Sequence, residues 1–218
     1  MDKIYICPSL MCADQLRLYD GIKALEEAGA DLLHIDVMDG CFVPNIQLGT
    51  SLIEAIRAEF DIPLDFHLMI ESPGDKLGFF PIREGDWVSV HYETDRHPAR
   101  TAAKIAALGA KPLLALDPET PLSVCEDIID CFEGLLIMTV DPGYAGQKLI
   151  PAAVGKIKRA RDAFGGGIII EADGNVSFEN ARKMRKAGAD IFVCGSSSVF
   201  CGEDIPANLD EIRRCTAE

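Results

Sequence analysis

The chain has 218 residues, 48% of them hydrophobic and 26% charged, the composition of a globular protein and not of a disordered or fibrous one. Twenty-one Lys and Arg against 35 Asp and Glu give a formal net charge of −14 at pH 7, which repels nucleic acid and anionic membrane surfaces, so no nucleic-acid or membrane partner is expected. The apolar run in the first ten residues is too short for a signal peptide, and no stretch approaches a membrane span.

The eight cysteines (Cys7, Cys12, Cys41, Cys125, Cys131, Cys194, Cys201, Cys215) form no CxxC pair. They read as reduced, mostly buried residues of a cytoplasmic protein.

Residues 4–9 are a short apolar strand, and residues 15–28 carry Leu16, Leu18, Ile22 and Leu25 at helical spacing. Leu32, Leu33, His34, Ile35 and Asp36 then alternate with period two, placing His34 and Asp36 on one face of a second strand. That strand runs out into Met38-Asp39-Gly40 and a Pro-containing loop, where its polar pair points. Helix is expected over residues 50–60, strand over 64–69, a poorly marked helix over 73–80, strand over 87–91, helix over 98–108 and strand over 111–116. The pattern continues as helix 121–131, strand 134–139, helix 151–164, strand 168–172, helix 177–187, strand 191–194 and a last helix over 205–215.

A weak internal repeat supports this count. Helices end in Ala28-Gly29-Ala30-Asp31, Glu84-Gly85-Asp86, Leu108-Gly109-Ala110-Lys111 and Ala187-Gly188-Ala189-Asp190, with Gly just past the helix and a buried strand following. Strict alternation implies a parallel sheet with right-handed crossovers, and eight units close it. The expected fold is α/β, a single (β/α)8 TIM barrel, one domain over residues 1–218.

In such a barrel the C-terminal ends of the strands meet at one mouth, where His34, Asp36, His67 and Asp173 converge. Two imidazoles and two carboxylates suit one divalent metal ion (Zn, Fe, Co, Mn or Mg). The alternatives are that His34 and Asp36 form a purely structural pair and that Asp173-Gly174-Asn175 is only a turn. Glycines in the last three βα loops, at Gly143 and Gly146, Gly174, and Gly195, let the backbone approach an anion, as in the phosphate cup of this barrel class. The expected substrate is therefore a small phosphorylated molecule. Met38, Met69 and Met138 end strands two, three and six; singly they are gap-fillers, and together they form an apolar wall that excludes water from an intermediate. His91 receives no role, and Lys148, Lys156 and Lys158 read as a solvated helix face.

The residues Pro8-Ser9-Leu10, HIDVMDG at 34–40, FVPN at 42–45, HLM at 67–69, TVDPGYAGQ at 139–147, Asp173-Gly174 and Gly195-Ser196 resemble the ribulose-phosphate 3-epimerases, in that family's order from the first strand to the eighth. The resemblance implies a metal-dependent (β/α)8 barrel isomerase of the ribulose-phosphate-binding type that inverts C3 of a ketose phosphate. It implies His34, Asp36, His67 and Asp173 as metal ligands, with Asp36 and Asp173 also the acid/base pair. Ser9 and His67 would touch the sugar, and Gly143, Tyr144, Ala145, Gly146, Gly174, Asn175, Gly195 and Ser196 the phosphate end. Ala145, Asn175, Cys41, Asp141 and the pair Met11-Cys12 depart from the commonest family pattern. The combination of Ser-Leu-Met-Cys at 9–12 with TVDPGYAG at 139–146 more closely resembles the D-allulose-6-phosphate 3-epimerase branch.

The hydrogen on C3, beside a C2 ketone, leaves only if the resulting charge is stabilised, which a divalent cation does as a Lewis acid in a cis-enediolate scheme. Inversion needs a proton-transfer group on each face, here Asp36 and Asp173. The expected reaction is D-allulose 6-phosphate to D-fructose 6-phosphate, the alternative D-ribulose 5-phosphate to D-xylulose 5-phosphate, and a less favoured reading a non-catalytic phosphosugar-binding barrel. A phosphosugar decarboxylase would want an Asp-x-Lys-x-x-Asp pattern where Asp36-Val37-Met38-Asp39 stands. A homo-oligomer is expected.

Overall fold

The computed structural model describes residues 4–217. Its strands are β1 (Tyr5–Pro8), β2 (Leu33–Asp39), β3 (Ile46–Gln47), β4 (Leu64–Met69), β5 (Trp87–His91), β6 (Lys111–Leu116), β7 (Gly134–Met138), β8 (Ile169–Asp173) and β9 (Ile191–Cys194). Between and after them lie α1 (Leu18–Glu27), α2 (Thr50–Glu59), α3 (Pro73–Lys76), α4 (Pro98–Ala107), α5 (Pro151–Phe164), α6 (Phe178–Ala187) and α7 (Ile205–Ala217). Eight strands run parallel in the order β1-β9-β8-β7-β6-β5-β4-β2, and a parallel bridge between Ser9 and His34 sets β1 against β2 and closes the barrel. No helix among the described residues is long and apolar enough to cross a membrane.

The expected elements are present with four differences, the smallest being that the helix expected over 15–28 opens with a 3-10 turn at Gln15–Arg17, leaving Leu16 exposed. The loop after β2 turns back as β3, pairing antiparallel with Met38 and Asp39, a ninth strand outside the barrel. The stretch expected as helix over 121–131 is two 3-10 turns, Leu122–Cys125 and Ile129–Cys131. Its β-branched Val124, Ile128 and Ile129 lower its helix propensity, although the buried Cys125, Ile129 and Phe132 keep the i, i+4, i+7 spacing of a helix. The helix expected over 73–80 likewise passes from the short α3 into a 3-10 turn at Leu77–Phe79. Among the described residues there are thus seven α-helices where eight were expected.

The helix-end repeat has a structural basis. Gly29 and Gly188 take φ of +79° and +111°, the left-handed conformation that ends a helix. The Asp that follows then bonds the start of a neighbouring strand: Asp31 Oδ2 accepts from Ile6 N at 2.9 Å, Asp86 Oδ1 from Leu64 N at 3.0 Å and Asp190 Oδ2 from Ile170 N at 2.9 Å. Each of these carboxylates also pairs with an arginine, Arg213, Arg57 and Arg161 respectively. The repeat therefore ties strand to helix at the floor of the barrel.

The main apolar core lies between sheet and helices, and includes Ile6, Leu33, Ile35, Phe66, Val88, Leu114, Ile137 and Phe192. Residues of opposite parity fill the barrel itself, with Leu32, Trp87, Leu113 and Ile191 clustered below the mouth. All eight cysteines are free, but only Cys7, Cys125, Cys194 and Cys215 are buried. Lys156 corrects the solvated-face expectation. It is buried, and its Nζ donates to the carbonyls of Asp117, Pro118 and Thr120 at 2.7, 2.9 and 2.7 Å, whereas Lys148 and Lys158 are exposed. The spacing Ala153, Lys156, Ile157, Ala160 puts it on the core face of α5, a signal that the charge of its head group masked.

Candidate active site

Strand register brings the polar residues together. Across the parallel pair β2 and β4, Asp36 stands beside His67, Met38 beside Met69 and His34 beside Asp65, while Met138 stands beside Asp173 across β7 and β8. One donor atom from each of His34, Asp36, His67 and Asp173 lies within 4.8 Å of all the others. His34 Nε2 is 3.3 Å from Asp36 Oδ1 and 3.8 Å from Asp173 Oδ2; His67 Nδ1 is 3.4 and 3.3 Å from the same two oxygens.

Both inward nitrogens are buried without a hydrogen-bond partner, an arrangement that a folded protein rarely leaves uncompensated. A tetrahedral site with bonds of about 2.0–2.1 Å has edges of about 3.3–3.4 Å, close to the observed separations. The chemistry of the donors and their spacing therefore fit one divalent cation.

A second polar layer lies directly below. His34 Nδ1 is 2.5 Å from Asp65 Oδ2 and 3.5 Å from Glu171 Oε1, and the Cys7 thiol donates to Asp65 Oδ2 at 3.5 Å. Burial pushes Asp65 up, but the neighbouring His34 more than offsets this and holds the carboxyl below its usual range. Burial and then the Asp65 charge push Glu171 well above the usual carboxyl range. With Asp65 holding the proton on Nδ1, the proton that leaves the His34 ring leaves from Nε2, the nitrogen facing Asp36 and Asp173.

The inner layer carries the same logic. Burial raises Asp36, yet His34 and His67 hold it far below an ordinary carboxylate. Burial lowers His34 and His67, yet Asp36 and Asp65 hold the first well up and Asp173 and Asp36 hold the second at about 9. A dication held by these residues would take the place of those ring protons. Ser9 Oγ donates to Asp36 Oδ2 at 2.6 Å, fixing the carboxylate's orientation.

Above this cluster opens a pocket walled by Ser9, Asp36 and Asp173, the methionines Met38, Met69 and Met138, and the three glycine loops. All three methionines are buried. Gly143, Tyr144, Ala145, Gly146, Gly174, Asn175, Gly195 and Ser196 all reach the wall. Of the two expected sugar contacts, Ser9 lies on the wall and His67 does not; His67 and His34 are wholly buried beneath it. No lysine or arginine lines this pocket among the described residues, so an anion there would depend on backbone donors.

The loops are tied to one another. Asn45 Nδ2 donates to Gly143 O at 2.8 Å and Tyr144 Oη to Pro44 O at 2.5 Å, joining the segment after β2 to the segment after β7. Asn175, at φ +47°, donates to Gln147 O at 2.7 Å and accepts from Asn180 Nδ2 at 2.7 Å. An Asn in this position therefore supplies both the left-handed turn and a cross-loop bond.

Sequence reasoning missed Asp65 and Glu171, and it noticed His91 without giving it a role. The signal was present, because each shares strand parity with a residue that was singled out or ends a barrel strand, and parity two below the mouth is still inside the barrel.

A closed eight-stranded barrel with imidazoles and carboxylates gathered at the C-terminal mouth of its strands is the architecture of a barrel enzyme. Residues 5–200 match the model of the ribulose-phosphate 3 epimerase family. The chain is 42% identical over 214 residues to a ribulose-phosphate 3-epimerase of Bacillus subtilis (strain 168), covering 96% of this chain and 98% of that one. It is 43% identical over 215 residues to a chloroplastic ribulose-5-phosphate-3-epimerase of Arabidopsis thaliana, covering 96% and 76%. A 3-keto-L-gulonate-6-phosphate decarboxylase from Vibrio cholerae O1 biovar El Tor superposes with a TM-score of 0.70 over 100% of this chain and 98% of that one, at 11% identity, a likeness of fold alone. The chain belongs to the ribulose-phosphate 3-epimerase family, isomerases that act on sugar phosphates.

Proposed function

We propose that this protein interconverts D-ribulose 5-phosphate and D-xylulose 5-phosphate by moving a proton at C3. The observation that carries the reading is the pair of partnerless inward nitrogens, His34 Nε2 and His67 Nδ1, set against Asp36 and Asp173 under an open pocket. These four residues would hold a divalent cation, which when bound supplies Lewis-acid stabilisation of the negative charge on the sugar oxygens.

The remaining work falls to this chain's own groups. Asp36 comes from β2 and Asp173 from β8, so their carboxylates approach the bound ketose from different sides of the mouth. One takes the C3 proton and the other returns a proton to the opposite face; in the reverse direction their roles exchange. Ser9 orients Asp36. Met38, Met69 and Met138 wall the planar intermediate with apolar surface and keep water from reprotonating it indiscriminately. The loops at 143–146, 174–175 and 195–196 would take the phosphate on backbone N–H groups, with α6 behind them.

The names of the relatives support the five-carbon substrate over the allulose 6-phosphate expected from the combination of Ser-Leu-Met-Cys with TVDPGYAG. A second reading, the six-carbon ketose phosphate, draws on the departures from the common pattern that line the pocket, Met11, Cys12, Asp141, Ala145 and Asn175. Comparing kcat/KM on ribulose 5-phosphate and allulose 6-phosphate tests the assignment: the larger value is expected for ribulose 5-phosphate, and a larger value for allulose 6-phosphate overturns it. Stripping divalent ions with a chelator should abolish turnover, and restoring one should recover it; undiminished turnover by the stripped protein refutes the metal-assisted scheme.

A further inference from the structure

His91 ends β5 with its side chain inside the barrel, fully buried. Its Nε2 lies 2.8 Å from His67 Nε2, with the two rings near parallel at 20° and their centroids 5.0 Å apart. Its Nδ1 faces two carboxylates, Asp117 Oδ1 at 3.1 Å and Glu93 Oε2 at 3.3 Å. Phe42 covers the ring, centroid to centroid 4.7 Å.

Two ring nitrogens at 2.8 Å require that one donate and the other accept. The position of that proton follows from the far side of His91. A nitrogen facing two carboxylate oxygens carries its hydrogen, which in a neutral ring leaves the other nitrogen as an acceptor. His67 must then donate from Nε2, which leaves Nδ1 as the nitrogen where a metal ion would take the place of a proton. Nδ1 is the nitrogen aimed between Asp36 and Asp173.

We propose that His91 is a positioning residue for the epimerase site: it accepts the His67 Nε2–H and thereby makes His67 Nδ1 the nitrogen presented to a metal ion. The proposal rests on the reading of His67 as a ligand. It parallels the Asp65 to His34 contact on the other imidazole, so each ring has its own orienting partner.

The support for His91 extends outward. Glu93 accepts from Thr120 Oγ1 and, at 3.0 Å, from Asp117 N, and the segment carrying Asp117 and Thr120 is held by the buried Lys156 through three carbonyls. A chain of contacts thus runs from α5 through the loop after β6 to His91 and on to His67. It accounts for a buried lysine and a buried histidine that the reaction itself does not use.

The test has two independent readouts. The first is 15N NMR on wild-type protein, which reads which nitrogen carries the shared proton and whether it couples across to the other ring. The expected result is a proton on His67 Nε2 coupled to His91 Nε2; a proton on His91 Nε2 overturns the proposal. The second is zinc affinity by chelator competition on folded variants. His91→Leu is expected to bind zinc about 10- to 100-fold more weakly, the usual effect of losing such a partner, and His91→Gln, whose amide oxygen accepts, to recover most of it. Equal affinity in wild type and His91→Leu overturns the proposal. If wild type binds no zinc, the reading of His67 as a ligand fails, while the NMR result still decides whether His91 orients His67. If His91→Leu does not fold, the wild-type NMR and His91→Gln carry the test alone.

Discussion

Ser9 and Asp36 divide the work of one carboxylate: Ser9 Oγ donates to Oδ2 at 2.6 Å, leaving Oδ1 to face His34 Nε2 at 3.3 Å and His67 Nδ1 at 3.4 Å. The bond crosses the seam where β1 meets β2, next to the bridge that closes the barrel. Ser9→Ala removes the bond but no backbone contact. Turnover should fall about 10- to 100-fold, as when an orienting partner of a reacting or ligating group is lost, with Tm nearly unchanged. Steady-state kinetics beside a melting curve checks this; unaltered kcat would mean that Asp36 is held well enough without the hydroxyl.

Asp36→Asn and Asp173→Asn probe the two-sided proton transfer. Each removes one basic oxygen at the mouth, and loss of a positioned acid or base costs about 10²- to 10⁴-fold. In deuterated solvent, both variants should show no epimerised product, and the variant that retains the abstracting carboxylate should still wash deuterium into C3 of the starting sugar. Metal content is measured alongside, because both residues also belong to the proposed ligand set. Full epimerisation by either variant ends the scheme.

Much of this site was legible before any coordinates. Alternation in residues 32–36 and the position of each polar residue at the end of its strand placed His34, Asp36, His67 and Asp173 together, because a closed parallel barrel brings all such ends to one rim. What escaped was set by contacts between elements distant in sequence. His91 gains its partner only from the β4 to β5 register and its orientation from a loop two strands on. Spacing puts Lys156 on the core face of α5, but the three carbonyls of the loop after β6 that satisfy its ammonium are encoded by no periodicity. The 3-10 turns at 121–131 differ from a helix by one residue in hydrogen-bond spacing, which an apolar pattern of three or four cannot separate.

Gly174→Ala tests the crowding at the phosphate end. A Cβ at this position would stand 2.6 Å from Val140 Cγ2, 2.8 Å from Val140 N and 3.0 Å from Thr139 Oγ1, on a backbone at φ +117°. Thr139 Oγ1 already donates to Gly174 O at 2.5 Å, so the turn cannot swing away without breaking that bond. The variant should lose about 1–3 kcal/mol of stability and bind substrate less well, seen as a raised KM. Gly202→Ala is the control: φ is +87° but nothing lies within 4 Å, so it bears backbone strain alone and should leave KM unchanged.

Glu93 links the site to acid stability. Burial pushes its carboxyl up, but the bonds from His91, Thr120 and the Asp117 amide bring it down to about 2 from an ordinary 4.5. A carboxylate whose value is lower in the folded than in the unfolded chain contributes stability that is full above the unfolded value and fades as pH falls through the folded one. The Tm difference between wild type and Glu93→Gln should therefore be constant above about pH 4.5 and shrink between there and about pH 2. A difference that does not narrow on acidification would show that the Glu93 charge is not what the neighbouring donors recognise.

Lys156→Met separates the aliphatic stem of that side chain from its head. Methionine keeps the apolar part against Ala153, Ile157 and Ala160 on α5, but strands the carbonyls of Asp117, Pro118 and Thr120. Leaving buried acceptors without a donor costs about 1–3 kcal/mol, which in a domain of this size lowers Tm by roughly 2–4 °C for each kcal/mol. The loop after β6 carries Asp117, and Asp117 faces His91, so the loss should also reach the site and weaken zinc binding in the same direction as His91→Leu. Lys156→Arg, which restores a cation but not the length and shape of the ammonium, should recover only part of either loss. A variant that melts early yet binds zinc as wild type does would confine Lys156 to the fold and cut the outer end of the chain of contacts.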